Sequence, residues 1–288
     1  LMSGQHPTFA IFGPGLMGGS LLMSLRRKSP QSQFRVWGRR AESLEELQRR
    51  GLADACSTDA AETARGADFA VLCVPVDRLA ETACAAAPGV GPHCTVTDVG
   101  SVKSAVVDEL ENVFSAHGNF VGSHPMCGSE ASGLAAARAD LYDNALCVVT
   151  PTDRSNPESV RRTEDFWRTV GCRVQCMTPG AHDRAAALVS HVPHVAAAAL
   201  VNLLADESRE TAALCAGGFR DTTRVASGSP ELWAAILCQN REETGRTLEK
   251  LSGVLDAFRA AVQANDIPQV AALLAQARET RHTIMPEK

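Results

Sequence analysis

Lysine is scarce and paired cysteine is absent, and both shortages narrow what the protein can be. Four lysines are present, at 28, 103, 250 and 288, so none falls between residues 104 and 249. The ten cysteines form no C-x-x-C pair, and several sit inside apolar runs such as FAVLCVP and ALCVVTP. Disulfide frameworks and zinc sites need clustered spacing. The pattern therefore predicts free, mostly buried thiols in a reducing cytoplasmic setting, and no metal. No apolar run is expected to span a bilayer. The opening LMSGQHPTFAIFG lacks the charged region, apolar stretch and cleavage site of a secretory signal. A formal charge of −5 and a pI near 5.9 carry no signature of nucleic-acid or polybasic membrane binding. Internal repeats and low-complexity tracts are also missing.

What is present is alternation. Over the first 180 residues, short β-type runs are expected at 9–12, 34–37, 69–74, 95–99, 120–122, 146–150 and 173–177. Between them lie helical patterns such as AESLEELQRRG, with apolar residues at i, i+3 spacing and Gly51 as a stop. This order implies a parallel sheet with helices on both faces. From about Ala181 the texture turns Ala- and Leu-rich, with helices expected through 231–250, 251–265 and 268–282 and no further strand. The expected layout is a 1–180 α/β domain and a 181–288 all-α domain, with Pro179 and Gly180 breaking the last strand.

The segment FAIFGPGLMGGSLLMSLRR places Gly13-x-Gly15-x-x-Gly18 after an apolar run and before a helical pattern. In a Rossmann-type unit these glycines allow a tight turn, close approach of a pyrophosphate, and packing of helix on strand. The fold class expected is thus a Rossmann-type doubly wound sheet followed by a helical domain. Gly13, Gly15, Leu16, Met17, Gly18, Val74, Pro75 and Ser101 are the expected cofactor contacts. At the end of the second strand an NAD binder typically carries an acid for the ribose hydroxyl. Here RVWGRRAES offers Arg39 and Arg40 instead. A guanidinium pairs with a 2′-phosphate, which favours NADP over NAD. The bland alternative is that both arginines are solvated surface charge.

The remaining motifs are GPGLMGGSL, DVGSVK (98–103), GSHPMCGSE (122–130), LVSHVPH (188–194) and GGFRDTTRVASGSPELW (217–233). Together they resemble the prephenate/arogenate dehydrogenases of tyrosine biosynthesis. The resemblance implies oxidative decarboxylation of a cyclohexadienyl acid: hydride leaves C4 for the nicotinamide, the 4-hydroxyl loses its proton, and the ring carboxylate departs as carbon dioxide. It implies that His124 of the H-P-x-x-G loop accepts the proton, a task suited to an imidazole, and that Ser101 partners the hydroxyl or the histidine. Ser101 also reads as the N-cap of the following helix. Substrate carboxylates fall to Arg224, with Arg220, His191 and His194 as further contacts. Pro193 is expected to kink the helix bearing those two histidines. The resemblance further implies a homodimer through the helical domain.

Two alternatives stand beside this reading. The β-hydroxyacid dehydrogenases share a GLMG opening and a helical second domain, but use a lysine in the stretch where this chain has none. A non-catalytic NADP-binding sensor would have lost chemistry that these motifs retain. Between substrates, prephenate is expected over arogenate, whose ammonium would favour a pocket carboxylate such as Glu130 or Asp221.

Overall fold

The apolar runs of the first 180 residues become strands of one eight-stranded sheet, and the amphipathic stretches between them become its covering helices. A computed structural model of the protein describes residues 6–116, 119–129 and 131–285. The elements run β1 (Thr8–Phe12), α1 (Leu16–Lys28), β2 (Gln33–Trp37), α2 (Ala41–Arg49), β3 (Ala55–Ser57), α3 (Ala60–Ala64) and β4 (Phe69–Leu72). They continue with α4 (Leu79–Ala86), β5 (Thr95–Asp98), α5 (Ser104–Val113), β6 (Phe120–Pro125), β7 (Leu146–Thr150), α6 (Pro157–Val170) and β8 (Arg173–Cys176). The sheet order is β3-β2-β1-β4-β5-β6-β7-β8. Strand order reverses between β1 and β4, the place where open α/β sheets bind ligands beyond the strands' carboxyl ends.

Alternation along β1 explains the two-sided core. Phe9 and Ile11 pack with Leu21, Leu25, Phe166 and Trp167 on one face. Ala10 and Phe12 pack with Ala64, Leu79, Val106 and Leu110 on the other. Successive strand residues point to opposite faces, so a strand buried on both sides reads as one continuous apolar run.

Three local expectations are corrected. The three-residue β3 was not anticipated from its sequence. β7 pairs antiparallel with β6 and parallel with β8, so the sheet is parallel only from β3 to β6. The β6–β7 connection carries a short helical turn, Leu134–Ala136, rather than a crossover helix, and a return without a crossover favours the antiparallel arrangement. His124, expected on a loop, lies inside β6 opposite Val148. Pro125 is tolerated there because the last β5 pairing is Thr97 with Val121, so no β5 partner needs its missing N–H.

After residue 180 every described element is helical: α7 (Pro179–Ala186), α8 (Val192–Asn202), α9 (Arg209–Ala213), α10 (Gly217–Thr223), α11 (Pro230–Gln239), α12 (Arg241–Gln263) and α13 (Ile267–Ile284). The helix expected over 231–250 breaks at Asn240. Contacts divide the chain into two compact units, Leu1–Arg241 and Glu242–Lys288. The helices from 179 to 239 thus belong to the same unit as the sheet, and Ile236 of α11 joins the cluster containing Phe12 and Leu72. The second unit contains most of α12 and all of α13, whose N-cap Asp266 accepts from the Gln269 N–H.

The stretch Pro179–Asn202 is, by length and composition alone, long and apolar enough to cross a membrane, contrary to the sequence expectation. Its charged residues, Asp183 and Arg184, crowd one end and leave the remainder uncharged. Yet His182, Asp183, His191 and His194 along it are buried. Of the apolar window as a whole, 33 % is buried, and His191 Nε2 and His194 Nδ1 have no hydrogen-bond partner among the described residues.

One buried ion pair shapes the segment nearest the site. Lys103, with no exposed side-chain surface, ion-pairs with Asp98 and donates to the Ser123 carbonyl at 2.9 Å. Asp98 also accepts from the N–H groups of Gly100 at 2.8 Å and Ser123 at 3.1 Å. The DVGSVK turn is thereby folded back onto β5 and held to β6 one residue before His124. Removing the cation leaves a buried carboxylate uncompensated. Lys103→Met should therefore lower unfolding free energy by about 3–5 kcal/mol, and Asp98→Asn in the same chain should recover part of it. A loss under ~1 kcal/mol in urea unfolding, the range of exposed pairs, contradicts this account.

Candidate active site

The fingerprint glycines are fitted to their turn. Gly13 has φ of +102°, and a Cβ there would lie 2.7 Å from the Cys73 carbonyl oxygen. At Gly18 a Cβ would lie 2.1 Å from the Gly13 carbonyl oxygen, whereas at Gly15 nothing lies within 4 Å. α1 therefore starts against open space. Its N-cap Gly15 supplies no side-chain cap, and its first turn has no acid. Free N–H groups at a helix start attract an anion such as a pyrophosphate.

Two adjoining cavities run along this edge. One, of about 360 Å³, is lined by Gly13, Gly15, Arg39, Arg40, Val74 and Pro75. Trp37, Ser43 and Arg78 also line it, and sequence reasoning did not single them out. The other, of about 290 Å³, contains Leu16, Met17, Ser101 and His124 together with Gly128, Ser129, Leu232 and Ile236. They share Gly15, Cys73, Val74, Pro75 and Gly133. Gly18 lines neither and acts through packing. An elongated cleft over an uncapped helix start fits a nicotinamide dinucleotide, held by the glycine turn at its centre. Arg39 and Arg40 are exposed at the rim, and neither forms an ion pair among the described residues. Arg78 is instead engaged with Glu81 at 3.0 Å.

His124 is 8 % exposed. Its Nδ1 lies 2.8 Å from Nε2 of His182. Nδ1 of His182 lies 2.8 Å from Oδ1 of Asp183, and Asp183 also accepts from the N–H groups of Lys103 at 2.8 Å and Ser104 at 2.7 Å. Burial, then the neighbouring His182, Lys103 and His191, holds the His124 pKa well below its ordinary value. Burial pushes the Asp183 carboxyl up, but hydrogen bonds from His182, Ser104 and Lys103 outweigh it, and the group stays below the usual carboxylate range. His124 is thus kept neutral and Asp183 ionised.

Ser101 shares the His124 cavity but is not a helix cap. α5 begins at Ser104, its flanking residue Lys103 gives no side-chain cap, and the Asp183 carboxylate caps it from across the fold. His191 and His194 are buried outside the cavity lining. A π-helical turn, Ala187–His191, precedes Pro193, and such one-residue widenings recur at functional sites. His191 accepts from Asn240 Nδ2 at 3.1 Å, and burial lowers its pKa to about 4 despite the opposing pull of Asp183. His194 stacks on Trp233 with ring centroids 3.6 Å apart. Arg220 lies on α10 and Arg224 on the following turn, Arg224–Ser227. Both are exposed, on elements packed against α8, and neither lines the His124 cavity. Glu130 lies outside the described residues.

His182 and Asp183 also escaped sequence reasoning, and Lys103, although it closes the DVGSVK motif, has no role assigned from the sequence. The only signal of His182 and Asp183 is that they stand as a polar pair near the start of an Ala-rich helix. All ten thiols are free. Those beside the cleft are poor nucleophiles: burial raises Cys73 well above its ordinary value and Cys127 to about 12.

The lowered histidines make the fold acid-sensitive. A histidine kept neutral when folded but free to protonate near 6.5 when unfolded loses stability as pH falls below that value. For His191 the loss continues to about pH 4 and reaches roughly 3 kcal/mol at 1.4 kcal/mol per pH unit. Urea unfolding between pH 7.5 and 4.5 should show that decline, shallower in His191→Leu. Equal slopes in the two proteins contradict it.

Comparison with known proteins agrees with this architecture. The family model for the prephenate dehydrogenase nucleotide-binding domain matches residues 22–176, and that for its dimerization domain matches residues 178–276. A cyclohexadienyl dehydrogenase of Zymomonas mobilis is 30 % identical over 261 residues, covering 89 % of each chain. The crystal structure of prephenate dehydrogenase from Aquifex aeolicus with hydroxyphenyl propionate and NAD+ superposes with a TM-score of 0.91 at 29 % identity, over 98 % of this chain and 100 % of that one. A Synechocystis arogenate dehydrogenase superposes with a TM-score of 0.82 at 29 % identity, over 96 % of this chain and 100 % of that one. With both domain models matched in order and a relative aligned along nearly its whole length, the chain belongs to the prephenate dehydrogenase family.

Proposed function

We propose that the protein converts prephenate to 4-hydroxyphenylpyruvate by oxidative decarboxylation, with NADP as hydride acceptor. The observation that carries this reading is a neutral, buried His124 sharing a cavity with Ser101, next to a cleft built for a dinucleotide. The bound nicotinamide supplies the hydride acceptor. His124 takes the proton from the 4-hydroxyl as C4 loses hydride, and Ser101 hydrogen-bonds that hydroxyl or His124. Loss of the ring carboxylate as carbon dioxide then leaves an aromatic product. Arg224 is the proposed carboxylate anchor, with Arg220, His191 and His194 as further substrate contacts. Apolar walls from Leu232 and Ile236 limit the water that reaches the reacting centre.

NADP is favoured by Arg39 and Arg40 at the cleft rim, beside Ser43 and the uncapped start of α2. No carboxylate occupies the end of β2, where a ribose diol would need an acceptor. Prephenate is preferred on the described lining of the His124 cavity, which holds no Asp or Glu for arogenate's ammonium; Glu130, between the lining residues Ser129 and Ala131, lies outside the described residues. The arogenate reading keeps support from the Synechocystis likeness. A homodimer is supported by exposed apolar residues. These are Leu188, Val189, Leu203 and Leu214 in the first unit, and Val254, Leu255, Ile267 and Leu274 in the second.

Initial rates with prephenate or arogenate, each with NADP or NAD, test substrate and cofactor together. The highest rate is expected with prephenate and NADP. Tenfold faster turnover of arogenate, or better use of NAD, overturns the corresponding choice. His124→Asn should lower kcat by about 100-fold or more while NADP affinity stays the same, and full activity in that variant removes the assigned base. Replacing Arg39 and Arg40 by Ala should raise KM for NADP by about tenfold or more, the worth of one charge-assisted contact, and leave NAD kinetics unchanged. A proportional loss with both cofactors would mean that the arginines do not read the 2′-phosphate.

A further inference from the structure

A histidine base works from one nitrogen, and the hydrogen bond at its other nitrogen decides which. For His124 that second bond goes to His182, and His182 in turn meets Asp183. Asp183 is 3 % exposed, and its oxygens accept from two backbone N–H groups at the start of α5. An ionised carboxylate donates nothing, so Nδ1 of His182 carries hydrogen toward it. In the neutral ring, Nε2 of His182 presents a lone pair. The hydrogen in the 2.8 Å contact then belongs to Nδ1 of His124. Nε2 of His124 is left as an acceptor.

We propose that His182 and Asp183 are positioning residues for the reaction: they hold His124 as its Nδ1–H tautomer, turn its basic Nε2 to the substrate hydroxyl, and stabilise the imidazolium once the proton arrives. The proposal rests on His124 being the proton acceptor. The substrate O–H bond breaks, a bond forms between that hydrogen and Nε2 of His124, and the Nδ1–H stays in place, so no proton has to travel along the pair. The imidazolium then donates to His182, whose far side is anchored on a fixed anion, as in other base–orienter pairs. The remaining charged or titratable groups around His124 are Lys103, already paired with Asp98, and His191. Burial at 2 % exposure lets His182 adopt few other orientations. α7 is itself pinned by Asn240 Nδ2, which donates to the Asp183 carbonyl at 2.9 Å.

The direct test is nitrogen-15 NMR of histidine-labelled wild-type protein with NADP bound. His124 should show a protonated Nδ1 and an unprotonated Nε2. An Nε2–H signal on His124, or a His182 protonated at both nitrogens with His124 accepting, overturns the proposal without any variant. Kinetics give the second arm. His182→Leu removes the acceptor and should lower kcat by about 100-fold with KM within about threefold, the scale of lost orienting partners. His182→Gln, whose amide oxygen still accepts from Nδ1–H, should regain about tenfold of that. A leucine variant with kcat within about threefold of wild type overturns the proposal. Full activity of His124→Asn would remove the underlying base assignment whatever the tautomer. An Nε2–H tautomer with an inactive His124→Asn would remove only the positioning pair.

Discussion

The Asp183 carboxylate, buried one turn into α7, ties the sheet's carboxyl edge to the helices that follow it. It caps α5 by accepting from Lys103 and Ser104, and it faces His182, the neighbour of His124. An uncapped helix start buried in the fold would leave N–H groups without partners. Here the cap comes from roughly eighty residues away, so the turn carrying Ser101 and the helix carrying His182 are tied directly to each other. The geometry of the proposed base follows from that tie.

Charge around His124 is arranged to keep it neutral. Lys103 beneath it and burial both disfavour a second proton, while the cation is itself neutralised by Asp98. The same burial that readies an acceptor also weakens the fold in acid, because three histidines, His124, His191 and His194, have lowered pKa values. Reactivity and acid lability thus share one cause: desolvation of imidazoles in the folded chain. Substrate carboxylates would have to be met from another side, and Arg220 of α10 and Arg224 of the following turn stand exposed beside α8.

Much of this was legible in sequence, and the failures have physical reasons. Doubly buried strands such as β1 and β4 read as apolar runs, and the glycine fingerprint sat where strand gives way to helix. Arg39, Arg40, Val74 and Pro75 fall on the cleft because they end strands at its edge. The reversal of β7 was hidden, since a strand's direction leaves no mark on its composition. Ser101 read as a helix cap because local sequence supplies good caps, whereas the actual cap, Asp183, is remote. His182 escaped for the same reason: its meaning lies in a contact with His124 that no spacing along the chain reveals. The uncharged stretch after Arg184 is interrupted by Ser190, His191, Pro193 and His194, which break its apolar residues into short runs.

The account turns on whether a cyclohexadienyl ring sits beside His124 with the nicotinamide on its other flank. A crystal structure of the protein with NADP+ and a hydroxyphenyl product analogue measures this directly. The account predicts the analogue's 4-hydroxyl within hydrogen-bond reach of His124 Nε2, with the nicotinamide in the cavity shared by Gly15 and Pro75. An analogue bound elsewhere, or one meeting His124 only through Nδ1, would contradict it.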